Sequence, residues 1–266
     1  MKVNCLQHGM KRAFHLVMAL LTVSIFVGGC AGKETADAVK SKPAEKVLRI
    51  GIETNYAPFE FKKKNSDEII GYDVDLIKAV CKRLGYTPKF VNTSLAAMIP
   101  AMEADKLDIA VGAFTISEER KQRVDFSTPY FQSGLVIYVG KDRTDINSLK
   151  DLEGKRIAVQ IGSTGEAVAR SIKGAKVYTF NTIAGTNMEI KSDKVDAGIS
   201  DLPSVEYFLV NGGDRYCKIV GERLTSEEYG IMVKKNSPLL NPINNALTEM
   251  KKDGEQAVIH AKWFKK

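Results

Sequence analysis

Val47-Leu48-Arg49-Ile50-Gly51-Ile52, followed by Asp73 to Leu84, shows the architecture most clearly. The first six residues alternate as a strand does. The second segment carries apolar side chains at 74, 77, 80, 81 and 84, a stripe along one helical face that Gly85 closes. Working outward, Lys89-Phe90-Val91 reads as a short strand, Leu95 to Met102 as a helix and Leu107 to Val111 as a buried strand. The order then returns. Arg156 to Gln160 is a strand with a helix directly after it from Ser163, and Lys176 to Phe180 is another strand. A helix leads to the strand Val195 to Ser200, and Leu202 to Val210 is a further helix. Pro238 to Trp263 is helical, interrupted at Asp253-Gly254. Strands alternating with helices predict α/β architecture with parallel, doubly wound sheets. Two extended segments, Gly134 to Val139 and Tyr229 to Val233, each join a first-half body to a second-half body. The expected result is two doubly wound lobes, 47–137 plus 232–266 and an inserted 138–231, joined by two hinge strands. Ligands of open α/β sheets lie beyond the carboxyl ends of the strands, so two such lobes make a cleft.

The amino terminus carries a different signal. Lys2, Lys11 and Arg12 precede an apolar run from Ala13 to Val27, about fifteen residues, which suits a signal peptide better than a membrane span. The run ends in Val27-Gly28-Gly29-Cys30, which resembles the lipobox of bacterial lipoproteins. Small residues there fit the peptidase, and the Cys30 thiol takes the lipid. Residues 1–29 are thus expected to be a signal peptide, with Cys30 the acylated anchor and 30–46 a tether rich in Ala, Lys, Thr and Ser. Removing the three leader cations from 39 basic residues leaves 36 against 32 acids, a net of +4. The lysines are mixed with acids, as at Lys62 to Lys64 near Asp67 and Glu68, which argues for a solvated surface and against nucleic-acid binding. Cys81 and Cys217 are the cysteines left in the body. With no second thiol near either, no metal site is expected, and Cys81 falls on the apolar helical face as a small hydrophobe.

Several blocks are specific enough to carry a resemblance. They are Asn55-Tyr56-Ala57-Pro58-Phe59-Glu60-Phe61, Gly71-Tyr72-Asp73-Val74-Asp75-Leu76, Lys106-Leu107-Asp108-Ile109-Ala110, Thr115-Ile116-Ser117-Glu118-Glu119-Arg120, Gln160-Ile161-Gly162-Ser163-Thr164-Gly165 and Val195-Asp196-Ala197-Gly198-Ile199-Ser200-Asp201. In this order they resemble the bacterial extracellular solute-binding proteins of family 3, the polar amino-acid-binding lipoproteins of ABC importers. The resemblance covers nearly all of 47–266 and implies the type II periplasmic-binding-protein-like fold.

A free amino acid presents a carboxylate, an ammonium and a side chain, each needing a partner once water leaves. Arg120 is the candidate for the carboxylate, since a guanidinium offers two parallel charge-assisted bonds. The resemblance implies that Thr115 contributes a hydroxyl, Ala113 backbone groups, and Thr164 a contact to the carboxylate from the opposite wall. Thr115-x-x-Glu118 and Ser163-x-x-Glu166 both fit capping boxes, so Thr115 could also cap a helix and Ser163 reads as a cap. Asp201, at the end of a buried strand, is the candidate for the ammonium, with a cap of the helix at Leu202-Pro203 as its other reading. Tyr56 and Phe114 are candidate aromatic walls, Phe114 equally a core residue. Glu53, at the end of the first strand, stands where the resemblance implies an acid in members that bind arginine, lysine, histidine or glutamine, and a carboxylate there would pair with a basic side chain. It points to arginine first and glutamine next.

The implied function is binding a polar amino acid by cleft closure and delivering it to membrane permease subunits. The binding protein would be an exported monomer, lipid-anchored on the extracytoplasmic face of the membrane, needing no cofactor. Two other classes compete. One is a dehydratase of cyclic carboxylic acids on the same fold. Against catalysis, His260 is the one histidine outside the leader, and Gly162-Ser163-Thr164-Gly165 lacks the lysine of a phosphate loop. The other is a membrane sensor built on the same domain.

Overall fold

The computed structural model describes residues 46–264. The expected signal peptide, Cys30 and nearly all of the tether lie outside the described residues. Among those described, no helix is long and apolar enough to cross a membrane.

The body has two lobes, each a five-stranded sheet between helices. In lobe 1 the strand order is Thr87–Asn92, Val47–Ile52, Ile109–Ala110, Met232–Lys234, Val124–Phe126, with only the fourth strand running against the other four. In lobe 2 it is Lys176–Phe180, Arg156–Gln160, Ala197–Asp201, Leu135–Gly140, Cys217–Val220, where again only the fourth strand runs against the other four. Both faces of each sheet are covered, which is why the central strands read as near-continuous apolar runs. Leu135, Ile137 and Val139 join the core under the helix Thr164–Ser171, while Val136 and Tyr138 point to the opposite core with Ile190 and Val205. In lobe 1 the helices Tyr72–Leu84 and Leu240–Asp253 close one face, and Leu95–Glu103, through Met98 and Met102, closes the other.

Several element bounds differ from the sequence reading. Gly134 to Val139 was expected to run between lobes. Instead Leu135–Gly140 belongs wholly to the lobe 2 sheet, and the crossing is made earlier, by Phe131–Ser133 paired antiparallel with Glu227–Tyr229. Sheet membership thus changes a few residues before 138 and before 232. Tyr229 to Val233 is divided: Glu227–Tyr229 lies in this ribbon and Met232–Lys234 in the lobe 1 sheet. Continuous apolar character does not report which sheet a strand joins. The C-terminal helix breaks at Gly254, whose φ of 85° is open to glycine at little cost. Cys81 and Cys217 are buried and free.

Candidate functional site

The carboxyl ends of the central strands of both sheets meet across one cavity. Glu53, Tyr56, Ala113, Phe114, Thr115 and Arg120 line it from lobe 1, Thr164 and Asp201 from lobe 2. All eight residues nominated from sequence are therefore brought together.

Arg120 is placed by a short helix, Glu118–Lys121, whose cap is Ser117 accepting from the Arg120 N–H at 3.3 Å. Thr115 is not the cap. The guanidinium lies 5.9 Å from the centre of the Phe114 ring and donates to the carbonyls of Thr115 and Gly162, each at 3.0 Å. Gly162 belongs to lobe 2, so this contact crosses the cleft. Among the described residues no carboxylate forms an ion pair with Arg120. Burial lowers its pKa, with Asp201 and Glu227 opposing from a distance. A half-buried guanidinium with neutral partners only retains donors for an incoming anion. Phe114 is both wall and core: it is 2% exposed and belongs to the cluster with Met98 and Met102.

The hydroxyls are turned in a particular sense. Thr115 Oγ1 donates to Glu227 Oε2 at 2.5 Å, and Thr164 Oγ1 donates to the same oxygen at 3.1 Å. Each hydroxyl has one proton, so toward the cavity both offer lone pairs only. Thr164 starts its helix beside Ser163, which caps it by accepting from the Glu166 N–H at 3.0 Å, as the capping box predicts. The helix can approach the sheet because Gly165 has no side chain. A Cβ there would come 2.8 Å from the Ile199 carbonyl oxygen.

Asp201 stands at the amino end of the helix Leu202–Val210, but its side chain makes no cap bond. It accepts instead from the Tyr56 hydroxyl and, at 2.5 Å, from the Tyr229 hydroxyl. Burial pushes its pKa up to about 6, against the lowering effect of both tyrosines. A buried carboxylate this costly is stabilised by an arriving cation. Tyr56 thus reaches across from lobe 1 as a donor, and its ring lies alongside Phe59.

Glu53 is buried, not an exposed strand end. Both its oxygens accept from the Gln160 amide of lobe 2, at 3.0 and 2.9 Å, and burial raises its pKa despite those bonds. Ala113 sits at φ 49°, an uncommon value for alanine, and its N–H donates to Asp73 Oδ2 at 2.7 Å. That bond holds the loop in place.

Sequence reasoning passed over Glu60, Gln160, Ser200 and Glu227. Glu60 lines the cavity, is 1% exposed, and its Oε2 has no donor. It was detectable in principle, because it pairs across a small hairpin with Tyr56, which had been chosen. Gln160 ends a central strand as Asp201 does, and the same logic would have found it. Glu227 gave no signal, since it reaches the site from the connecting ribbon.

Residues 48–266 match the model of the bacterial extracellular solute-binding proteins, family 3, and the chain belongs to that family. The arginine-binding extracellular protein ArtP of Bacillus subtilis is 33% identical over 253 residues, covering 94% of this chain and 96% of that protein. The L-cystine-binding protein TcyJ of Escherichia coli (strain K12) is 30% identical, covering 93% and 94%. A solved structure of an ancestral arginine-binding protein bound to arginine is 43% identical, with a TM-score of 0.78 over 83% of this chain and 99% of that one. The family consists of extracellular solute-binding components, so the chain is a transport component and not an enzyme. The dehydratase reading is set aside.

Proposed function

We propose that the cleft binds a basic L-amino acid, arginine first, and that the lobes close around it to present it to the permease subunits of an ABC importer. The chain is an amino-acid-binding component of such a transporter. The ligand assignment rests on one observation: three carboxyl groups, Glu53, Glu60 and Asp201, line the cavity with Glu227 behind Thr115 and Thr164, and Arg120 is the one cation lining it among the described residues. A neutral amino acid brings no surplus charge to this set, whereas arginine brings one positive charge.

The charges are also sorted. Asp201 and Glu227 act on Arg120, while Glu53 and, after it, Asp201 act on Glu60. In this reading Arg120 takes the α-carboxylate, and Asp201 with the lone pairs of Thr115 and Thr164 takes the ammonium. Tyr56 and Phe114 flank the aliphatic stem, Ala113 offers its carbonyl since its N–H is held by Asp73, and Glu53 and Glu60 receive the distal cation with the Gln160 amide beside them. A ligand spanning contacts from both lobes binds the closed form better and shifts the population toward it. The ligand bridges lobes 47–137 plus 232–266 and 138–231, with the ribbon as hinge. The body works as a monomer held to the membrane through a lipid on Cys30, beyond a tether of 30–46.

A thermal-shift screen of the purified protein against the twenty amino acids tests this. At a hundredfold excess over Kd a ligand adds about 2.7 kcal/mol, a shift of several degrees. Arginine, with lysine or histidine behind it, is expected to give the shift. A shift with glutamine or cystine and none with arginine would move the specificity and remove the role given to Glu53 and Glu60.

A further inference from the structure

We propose that Asp73 sets the charge of Glu60: the two buried carboxyls hold one proton between them, and a cationic side chain entering the cleft expels it to solvent. The proposal rests on the basic-ligand reading and extends it to a residue outside the cavity.

The geometry gives the pair no other solution. Asp73 is fully buried and Glu60 is 1% exposed. Asp73 Oδ2 is committed to the Ala113 N–H at 2.7 Å and the Tyr130 hydroxyl at 2.8 Å. Asp73 Oδ1 and Glu60 Oε2 are both buried with no hydrogen-bond partner, and the two carboxyls are near enough for each to act on the other. Two carboxyls bond each other only through a proton, and two adjacent buried carboxylates do not both ionise. Since Oδ2 already accepts two bonds, Asp73 is held as the acceptor and Glu60 carries the proton. Glu60 Oε1 faces Gly112 in the cavity, where a Cβ would come 2.9 Å from it.

The groups acting on the pair from the surrounding elements are Glu53 at the end of the first strand, Asp201 from lobe 2, and the hydroxyls of Tyr130 and Tyr72. None is a cation. Glu53 and Asp201 favour keeping a proton on Glu60 and burial acts the same way on both groups, while the Ala113 N–H and the Tyr130 hydroxyl hold Asp73 as the acceptor. A guanidinium or ammonium beside Oε1 reverses that balance. The O–H bond of Glu60 breaks, the proton leaves to water, and the carboxylate pairs with the cation. Because the complex then holds fewer protons than the free protein, affinity for a basic ligand rises with pH.

Calorimetric titration at one pH near neutrality, in phosphate and in Tris, counts the protons exchanged on binding. Arginine is compared with citrulline, its neutral isostere, which carries the same α-groups, so any proton exchanged at Asp201 cancels. Wild-type protein is expected to release close to ~1 proton more with arginine than with citrulline. Asp73→Asn supplies an N–H donor to Glu60 while keeping an acceptor for Ala113 and Tyr130, and is expected to bind arginine with that excess abolished. Equal proton counts for the two ligands in the wild type overturn the proposal, whether or not the variant folds. If citrulline binds and arginine does not, the proposal falls together with the basic-ligand reading. If arginine binds without the excess, that reading stands and only the proton coupling falls.

Discussion

The two lobes share a construction that is nearly identical at one end of their sheets and unlike at the other. In lobe 1 Arg49 donates its N–H to Asp108 Oδ2 at 2.7 Å and its guanidinium to both Asp108 oxygens, at 3.0 and 2.7 Å. In lobe 2 Arg156 does the same with Asp196, at 2.7, 3.2 and 2.9 Å. Each aspartate N–H returns to the carbonyl of its arginine, at 2.9 and 2.8 Å. These staples join the first and third parallel strands at their amino ends. At the carboxyl ends the equivalent strands finish differently: Glu53 and the Gly112–Thr115 loop in lobe 1, Gln160 and Asp201 in lobe 2. The repeated end supports the sheets, and the divergent end is where the proposed ligand would sit. In that reading lobe 1 supplies the guanidinium and two acids, and lobe 2 supplies the acid for the ammonium.

The largest test of that division is at Arg120. Arg120→Ala removes the anion partner and leaves a bound carboxylate against desolvated surroundings, which costs about 3 kcal/mol, a loss above ~100-fold in arginine affinity. Arg120→Lys keeps the charge but not the two-pronged geometry, and recovers only part of it. Titration calorimetry reads both. A loss smaller than ~10-fold for the alanine variant would move the carboxylate to the helix start at Thr164, in lobe 2.

A smaller effect belongs to Asp201 on the other wall. Its pKa is about 6 before a ligand arrives, and a bound ammonium lowers it. The complex then holds fewer protons than the free protein, so affinity falls as pH drops through about 6, approaching ~10-fold per pH unit below it. Citrulline reads this at Asp201 without involving the Glu60–Asp73 pair. Asp201→Asn is expected to bind it ~10–30-fold more weakly at pH 7, consistent with losing one charge-assisted contact, and to flatten the profile. An unchanged wild-type slope down to pH 5 would assign the ammonium elsewhere.

The comparison also explains what could be read in advance. Period and caps gave the strands Arg156–Gln160 and Lys176–Phe180 and the helix Leu202–Val210 with their observed bounds, because local pattern determines such elements. The crossing ribbon was misplaced because Leu135–Gly140 is apolar on both faces and carries no mark of the sheet it joins. The eight nominated residues came from strand ends and from the resemblance, and all lie on the cavity. What local pattern could not supply was pairing over long separations. Thr115 and Glu227 lie 112 positions apart, Glu53 and Gln160 107. Thr115 was open to a capping role for that reason, and Glu227 went unnoticed.

The finest test is at the repeated ends. Asp108→Ala and Asp196→Ala each remove the acceptor of a half-exposed arginine, so solvent screening limits the cost to about 1 kcal/mol, or a fall of ~2–4 °C in melting temperature. The arginines hold Asp196 down at about 2, and Asp108 below its usual range. For a depressed acid the stabilisation is complete above its unfolded value of about 3.9 and is lost as pH falls toward the folded one. The gap between wild type and Asp196→Ala, read by denaturant unfolding, should therefore be constant above pH ~5 and shrink between about pH 4 and pH 2. Asp196 also meets Arg143 at 3.1 Å, so its variant should lose slightly more than Asp108→Ala. Arginine affinity should change less than ~2-fold in either, since surface substitutions far from a site rarely exceed ~0.5 kcal/mol in coupling. A loss at Asp108 as large as that in Arg120→Lys would mean that the amino and carboxyl ends of the lobe 1 sheet act as one unit, and that its staple holds the binding loop as well as the strands.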